Sequence, residues 1–153
     1  IPDILRSLET NKPVVLPNPK ATRPWQHVLE PLSGYLILAQ KLYKNHKDYS
    51  EGWNFGPNEK DVKPVDWILD KMILKWPNSS WELDQNFNPH EASFLKLDIS
   101  KANSRLGWKP IWELDHTLEK IIDWHQAWID KKDMQVVCLS EIKDYMNDEN
   151  NEV

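Results

Sequence analysis

The stretch ATRPWQHVLEPLSGYLILAQKLYK, residues 21–44, places a short strand-like run directly before a long amphipathic segment. From Pro31 to about Lys44 the apolar residues recur at intervals of three and four, which is helical spacing. Before this helix, RPWQHV has the composition of a strand, but Pro24 restricts it to an edge or irregular strand because proline lacks an N–H. The stretch therefore predicts a strand that carries Arg23, followed by a helix.

Strand-like and helix-like segments also alternate along the rest of the chain. The predicted strands are PVVLPN (13–18), GWNFGPN (52–58), SWELD (80–84) and FLKLDI (94–99). Five further helices are predicted. The first begins at Pro2, the second lies between Pro64 and Pro77, the third is KANSRL and stops at Gly107, the fourth covers 114–129, and the fifth includes Val136 to Met146. This alternation predicts an α/β fold with mixed α+β character.

The length and composition predict one domain. A chain of 153 residues can bury a single core, and its hydrophobic content of 40% and charged content of 28% are typical of globular proteins. We find no repeat and no long linker, so we expect the domain to cover residues 1–146. The last segment, NDENNEV (147–153), is polar and acidic, and we expect it to be a disordered tail.

The charge balance argues against two classes of partner. With 24 acidic against 19 basic residues, the formal net charge is −5, which provides no general attraction to nucleic acid or to an anionic membrane. No apolar run approaches the roughly 20 residues that span a bilayer. We therefore expect a soluble, cytoplasmic protein without a nucleic-acid or membrane partner.

Several site motifs are missing from the sequence. The single cysteine, Cys138, excludes an internal disulfide and a cysteine-based zinc cluster, and the five histidines lack metal-ligand spacing, so we expect no metal. Tyr43 and Lys47 have the spacing of a lysine-activated tyrosine, but we expect them to lie at the exposed end of a helix and not to be catalytic. The dispersed glycines form no phosphate-binding loop: Gly34, Gly52, Gly56 and Gly107.

Three segments, taken in order, resemble the CDP-glucose 4,6-dehydratases, a branch of the extended short-chain dehydrogenase/reductase superfamily. They are RPWQHVLEPLSGYLILAQKLY, WNFGPNE, and HEASFLKLDISKANSRLGWKPIWELDHTLEKIIDWHQAW. The arginine-led strand, the Asn-Phe-Gly run, the D-x-S-K-A and L-G-W segments and the closing W-H helix resemble the superfamily. RPWQHVLEPLSGYL and HEA…LKLD resemble the CDP-glucose branch, and the resemblance extends from residue 1 to about 145.

This resemblance implies that the chain is the C-terminal, nucleotide-sugar-binding part of a larger enzyme. Its strands and helices would complete a Rossmann domain in that full-length parent, whose N-terminal half binds NAD and carries the catalytic residues. The parent, expected to be a homo-oligomer, converts CDP-D-glucose into CDP-4-dehydro-6-deoxy-D-glucose and water, in the biosynthesis of deoxysugars for O-antigen. We expect the chain alone to bind no NAD and to be inactive, with CDP-glucose or a related nucleotide sugar and the N-terminal half as its partners.

The resemblance also implies residues that bind the substrate. Arg23 holds the place of an arginine that reaches a phosphate of the nucleotide, and a guanidinium suits bidentate phosphate contacts. Asn58 matches a position that contacts the nucleotide in related dehydratases. We expect Trp25 and His27 to pack or to form hydrogen bonds within the strand.

A third part of the implied site departs from the common pattern. Alignment on Asp98 puts Asn88 where many relatives carry a second phosphate-binding arginine, and an amide binds phosphate more weakly than a cation does. His90 and Glu91 are candidates for reading the cytosine or ribose, and His90 for a phosphate contact. Four tryptophans are assigned to packing: Trp108, Trp112, Trp124 and Trp128.

Two alternatives stay open at the level of sequence. The parent could be another NAD-dependent sugar-nucleotide epimerase or dehydratase that uses UDP-, dTDP- or GDP-sugars. The chain could also be a stand-alone binding or interaction module without catalysis.

Overall fold

The computed structural model describes residues 1–76, 79–85 and 92–151. The helices are α1 (Pro2–Glu9), α2 (Leu29–Lys44), α3 (His46–Tyr49), α4 (Val65–Ile73), α5 (Leu114–Ile129) and α6 (Met134–Asn151). The strands are β1 (Val14–Leu16), β2 (Thr22–Pro24), β3 (Val62–Pro64) and β4 (Trp81–Leu83). Helix and strand are mixed, which confirms the predicted class.

The chain forms two compact units. The single domain expected over residues 1–146 stays a prediction. The first unit consists of Ile1–Arg23 and Val62–Lys96, and the second consists of Pro24–Asp61 and the chain after Lys96. Each unit is therefore assembled from two segments that are separated in the sequence.

Two strand pairings organise the first unit. β1 lies parallel to β4, with Val14 opposite Trp81 and Leu16 opposite Leu83. Val14 and Leu16 are buried and Val15 between them is exposed, because successive side chains of a strand point to opposite faces. β2 pairs with β3 in a second two-stranded sheet. Both prolines that we expected to begin helices do so, with Pro2 in the first turn of α1 and Pro64 directly before α4.

The apolar faces predicted for α1 and α4 are buried in the first unit. They consist of Ile4, Leu5 and Leu8 on α1, and Ile68, Leu69 and Met72 on α4. Spacings of three and four residues place each set on one side of its helix, which is why hydrophobic periodicity located both helices correctly.

Two predicted strands differ from the structure: one does not form, and the other is reduced to a single bridge. The segment 52–58 forms no strand, since Phe55 is buried with its ring centroid 5.0 Å from that of Trp108, and the Asn54 side chain donates to the Asp98 carbonyl at 3.3 Å. The segment thus packs through its side chains and does not join a sheet through backbone hydrogen bonds. In 94–99 only Phe94 makes a bridge, to Thr22. Only Arg23 and Pro24 of the strand predicted over RPWQHV lie in β2, which fits the irregular strand that Pro24 predicted.

Phe55 and Trp108 centre one core cluster of the second unit, together with Ala102 and Leu106. Gly34 of α2 lies against this cluster so closely that a Cβ atom built on it would overlap the Phe55 ring. Gly107 ends the preceding π-helical turn, Ala102–Leu106, with φ +72°, a left-handed conformation that glycine adopts without strain. The predicted helix stop at Gly107 is confirmed.

Glu30, on α2, is fully buried in the second unit. Its Oε1 accepts the Trp112 backbone N–H at 2.8 Å, and its Oε2 accepts the Ile111 N–H at 3.0 Å and the Tyr145 hydroxyl at 2.8 Å. Burial raises the pKa of Glu30, whereas the two amides and the phenol favour its carboxylate form. The carboxylate therefore joins α2, the 111–112 segment and α6.

Further hydrogen bonds extend this network. Burial raises the pKa of Tyr145, so its phenol keeps its proton and remains a donor. The hydroxyls of Ser33 and Tyr145 lie 3.1 Å apart, and the Trp108 indole N–H donates to Ser33 Oγ at 2.9 Å. The polar atoms of this network thus satisfy one another, which offsets the cost of their burial.

The tryptophans assigned to packing have different environments. Trp108 and Trp112 are buried, as predicted, whereas Trp128 is 49% exposed and stacks on the His125 ring. The Trp112 indole N–H donates to Asp148 Oδ2 at 2.8 Å. Because α6 continues to Asn151, residues 147–151 are helical, which differs from the disordered tail that we expected.

His27 is buried in the second unit, as expected of a packing residue. Its Nδ1 accepts the Leu29 N–H at 3.3 Å, its Nε2 lies 3.7 Å from Glu141 Oε1, and its ring contacts Trp112 edge-on. Burial, and then the charges of Lys120 and His116, lower the pKa of His27 from 6.5 to about 4. The imidazole is therefore neutral in the folded protein at pH 7.

We predict that replacing Glu30 with Gln destabilises the chain by about 2 kcal/mol. The amide group of glutamine would place a donor against a backbone N–H that now donates to a carboxylate oxygen, and would leave both donors without an acceptor. Urea unfolding measures the change in free energy. Glu82→Gln, at an exposed position of β4, is the control and should change it by less than about 0.5 kcal/mol. An equally small effect at Glu30 would contradict the structural role of the network.

We also predict that His27 makes stability depend on pH between 6.5 and about 4. A histidine whose pKa is lower in the folded than in the unfolded state contributes stability above pH 6.5, and this contribution is lost as the pH falls. Urea unfolding from pH 7.5 to 4 should show that the difference between wild type and His27→Gln shrinks on acidification. The exposed His46→Gln provides the control and should change the free energy of unfolding by less than about 0.5 kcal/mol. A constant difference for His27→Gln would disprove the assignment.

Candidate functional site

β2 lies between two neighbouring segments of the first unit. On one side the Thr22 N–H donates to the Ser93 carbonyl at 2.9 Å, and the Thr22 carbonyl accepts the Leu95 N–H at 3.1 Å. On the other side β2 pairs with β3. Successive backbone groups of a strand point in opposite directions, so those of Arg23 point toward β3. β2, with Arg23 as its central residue, therefore has a hydrogen-bonded neighbour on each side.

The Arg23 side chain is half-buried and held by backbone carbonyls. Its Nη1 donates to the carbonyls of Thr22 and Ala92, each at 2.9 Å. These bonds orient the guanidinium, a planar group with five N–H donors that is always charged. A cation held in this way loses less conformational entropy when it binds an anion than a mobile surface side chain does.

Asp66 brings a negative charge to the same unit. Its carboxylate lies 2.6 Å from the ammonium of Lys20, and its Oδ1 accepts the Trp67 N–H at 2.8 Å. The hydrogen bond with Asp66 raises the pKa of the exposed Lys20. Backbone bonds from Val65 to Ala21 and from Asp66 to Pro19 join the start of α4 to the chain before β2. Lys20 thus balances the charge of Asp66.

Asn58, the second predicted site residue, is exposed and belongs to the second unit. Its carbonyl accepts the Asp61 N–H at 3.0 Å at the start of the turn Glu59–Asp61. Arg23 belongs to the first unit. Their assignment to a common site stays a prediction.

Asn88, His90 and Glu91 lie outside the described residues. Ala92, which follows Glu91 directly in the chain, provides one of the two carbonyls that hold Arg23. The ligand roles expected of the three residues remain predictions.

Two residues could not be singled out from the sequence: Lys63, the middle residue of β3, and the buried Glu30. Neither residue lies in a sequence pattern that marks a site. Lys63 belongs to a strand of three residues, which is too short to show alternating apolar and polar positions, and Glu30 precedes the part of α2 with periodic apolar residues. Tyr43, which we did not expect to be catalytic, is 93% exposed.

The described ranges contain neither a metal-binding cluster nor a membrane span. Among residues 1–76, 79–85 and 92–151, no group of three or more His, Cys, Asp or Glu is placed to hold a metal ion. None of the helices in these ranges has the length and apolar character needed to cross a membrane.

Comparison with known proteins found a relative of named activity, whereas no protein-family model matches the chain. The chain is 55% identical over 148 residues to the CDP-glucose 4,6-dehydratase of Salmonella typhimurium strain LT2. The alignment covers 96% of the chain and 41% of that dehydratase, so the chain spans about two fifths of the length of this relative. Similarity to a CDP-glucose 4,6-dehydratase thus extends over nearly the whole chain.

Proposed function

We propose that this chain is the C-terminal, substrate-binding part of a CDP-glucose 4,6-dehydratase and that Arg23 binds the diphosphate of its substrate. The observation that carries the proposal is 55% identity, over 96% of the chain, to a protein of that name. The carbonyl-anchored guanidinium supports it, because a fixed, half-buried cation is suited to a phosphate.

The proposed reaction of the whole enzyme converts CDP-D-glucose into CDP-4-dehydro-6-deoxy-D-glucose and water, and NAD supplies reversible hydride transfer. We propose that the described residues do not form the NAD site. Gly34 lies inside α2 against Phe55, and Gly107 ends a helical turn, so neither belongs to a glycine-rich cofactor loop. We therefore assign NAD binding and catalysis to other parts of the enzyme and propose that this chain alone does not turn over substrate.

The contribution of this chain is then to bind and position the nucleotide sugar. Holding the diphosphate fixes the position of the attached hexose, and correct positioning accounts for a large part of many rate enhancements. We place the enzyme in the cytoplasm, as a homo-oligomer, with CDP-glucose and the N-terminal Rossmann half as partners. Asn58, Asn88, His90 and Glu91 are our further candidates for contacts with the nucleotide.

We predict that CDP binds the wild-type chain and that Arg23→Gln weakens this binding by about 10- to 150-fold. This range corresponds to the roughly 1.5–3 kcal/mol of a hydrogen bond to a charged group. Isothermal titration calorimetry gives the dissociation constants, and circular dichroism shows whether each variant is folded. Arg6→Gln, on the exposed side of α1 in the same unit, is the matched control and should bind CDP like the wild type.

A panel of CDP, UDP, dTDP and GDP tests the identity of the nucleotide. Preference for CDP supports the proposal. Preference for UDP, dTDP or GDP would assign the chain to another sugar-nucleotide epimerase or dehydratase. Failure of the folded wild type to bind any of the four would contradict the proposed binding role.

A further inference from the structure

We propose that Lys63 provides a second cation for the diphosphate, directly across the strand pair from Arg23. This inference rests on the proposed function for the identity of the ligand. Its structural basis is the pairing of β2 with β3, which brings together two residues that lie 40 positions apart in the sequence.

The register of the two strands places these residues opposite each other. β2 (Thr22–Pro24) and β3 (Val62–Pro64) each have three residues, and Arg23 and Lys63 are their central residues. Beyond the strands, the Val65 N–H donates to the Ala21 carbonyl at 3.1 Å, which is the register of an antiparallel pair continued by two residues.

Directly opposite residues in a sheet project their side chains from the same face. The Cβ atoms of directly opposite residues generally lie about 4.5–5.5 Å apart, a separation across which an arginine and a lysine side chain can contact one small ligand. Arg23 offers a planar guanidinium with several N–H donors, and Lys63 offers a compact ammonium group. Both kinds of group bind phosphate.

Electrostatics favours an anion between these two side chains. A diphosphate that contacts both side chains is attracted by each of the two cations. A diphosphate carries two charged phosphoryl groups, so two adjacent cations match it better than they match a monophosphate. We therefore expect the pair to distinguish CDP from CMP.

Lys63 also contacts an aromatic ring that a second lysine shares. Its ammonium lies 5.7 Å from the centre of the Trp67 ring, and that of Lys71 lies 5.0 Å from the same ring. Lys71 belongs to α4 and not to either strand of the pair. A change at Lys71 thus removes the same kind of ring contact without removing a charge from β3, which makes it a matched control.

The test compares Lys63→Gln, Lys63→Arg and Lys71→Gln with the wild-type chain. Calorimetric titration with CDP, CMP and inorganic pyrophosphate measures affinity, and circular dichroism melting confirms that each variant is folded. We expect Lys63→Gln to weaken CDP and pyrophosphate about tenfold and CMP by less than about threefold, in line with one charge-assisted contact. Lys63→Arg should restore binding to within about threefold, and Lys71→Gln should match the wild type.

The outcomes separate this inference from the proposed function. If Arg23→Gln weakens CDP binding and Lys63→Gln does not, the role of Lys63 is refuted and the proposed function stands. If the chain prefers UDP, and Lys63→Gln weakens both UDP and pyrophosphate, Lys63 does bind the diphosphate and the CDP-glucose assignment fails. If Lys71→Gln weakens binding as much as Lys63→Gln does, the ring contact is responsible, and the role of the strand position is refuted. A folded wild-type chain that binds neither pyrophosphate nor any nucleotide overturns both proposals.

Discussion

The buried carboxylate of Glu30 is the constraint on which the second unit depends. A charge without solvent contact is tolerated only where hydrogen bonds replace those of water, and Glu30 obtains three such bonds from residues 81 to 115 positions further along the chain. Two come from backbone amides, which cannot be supplied unless the 111–112 segment lies against α2. The third bond comes from the Tyr145 hydroxyl, so α6 must also lie against Glu30. A single polar group therefore specifies how three parts of the chain meet, a task that the apolar contacts around it could satisfy in more than one way.

The first unit places its polar groups differently. Its helices α1 and α4 bury aliphatic faces, and its strands carry the cations, among them an arginine held by two carbonyls. An acidic protein with a net charge of −5 can still provide a local site for an anion, because the potential at a site is dominated by the nearest charges and more distant ones are screened. In our proposal this arginine binds a diphosphate, and 55% identity to a CDP-glucose 4,6-dehydratase over 96% of the chain supports that role.

Most of the helices could be predicted from the sequence, and the strands only in part. α2, α4 and α5 followed from apolar spacing, and Pro2, Pro64 and Gly107 located helix ends, because these signals depend on residues within one or two turns. The strand predicted over 52–58 failed since Phe55 packs on Trp108, a residue 53 positions away, and a ring contact of this kind overrides local β propensity. Arg23 was identified through a resemblance carried by neighbouring residues, whereas Lys63 has no such neighbours and became visible only through strand pairing.

The sequence by itself determined the class of the fold, the helices with strong periodicity and the family resemblance, since each depends on residues that are contiguous in the chain. The tertiary structure alone decided that β2 pairs with β3 and that Glu30 finds its donors at Ile111, Trp112 and Tyr145. The physical reason is that strand register and burial depend on which distant segments meet, and local periodicity contains no information about that choice.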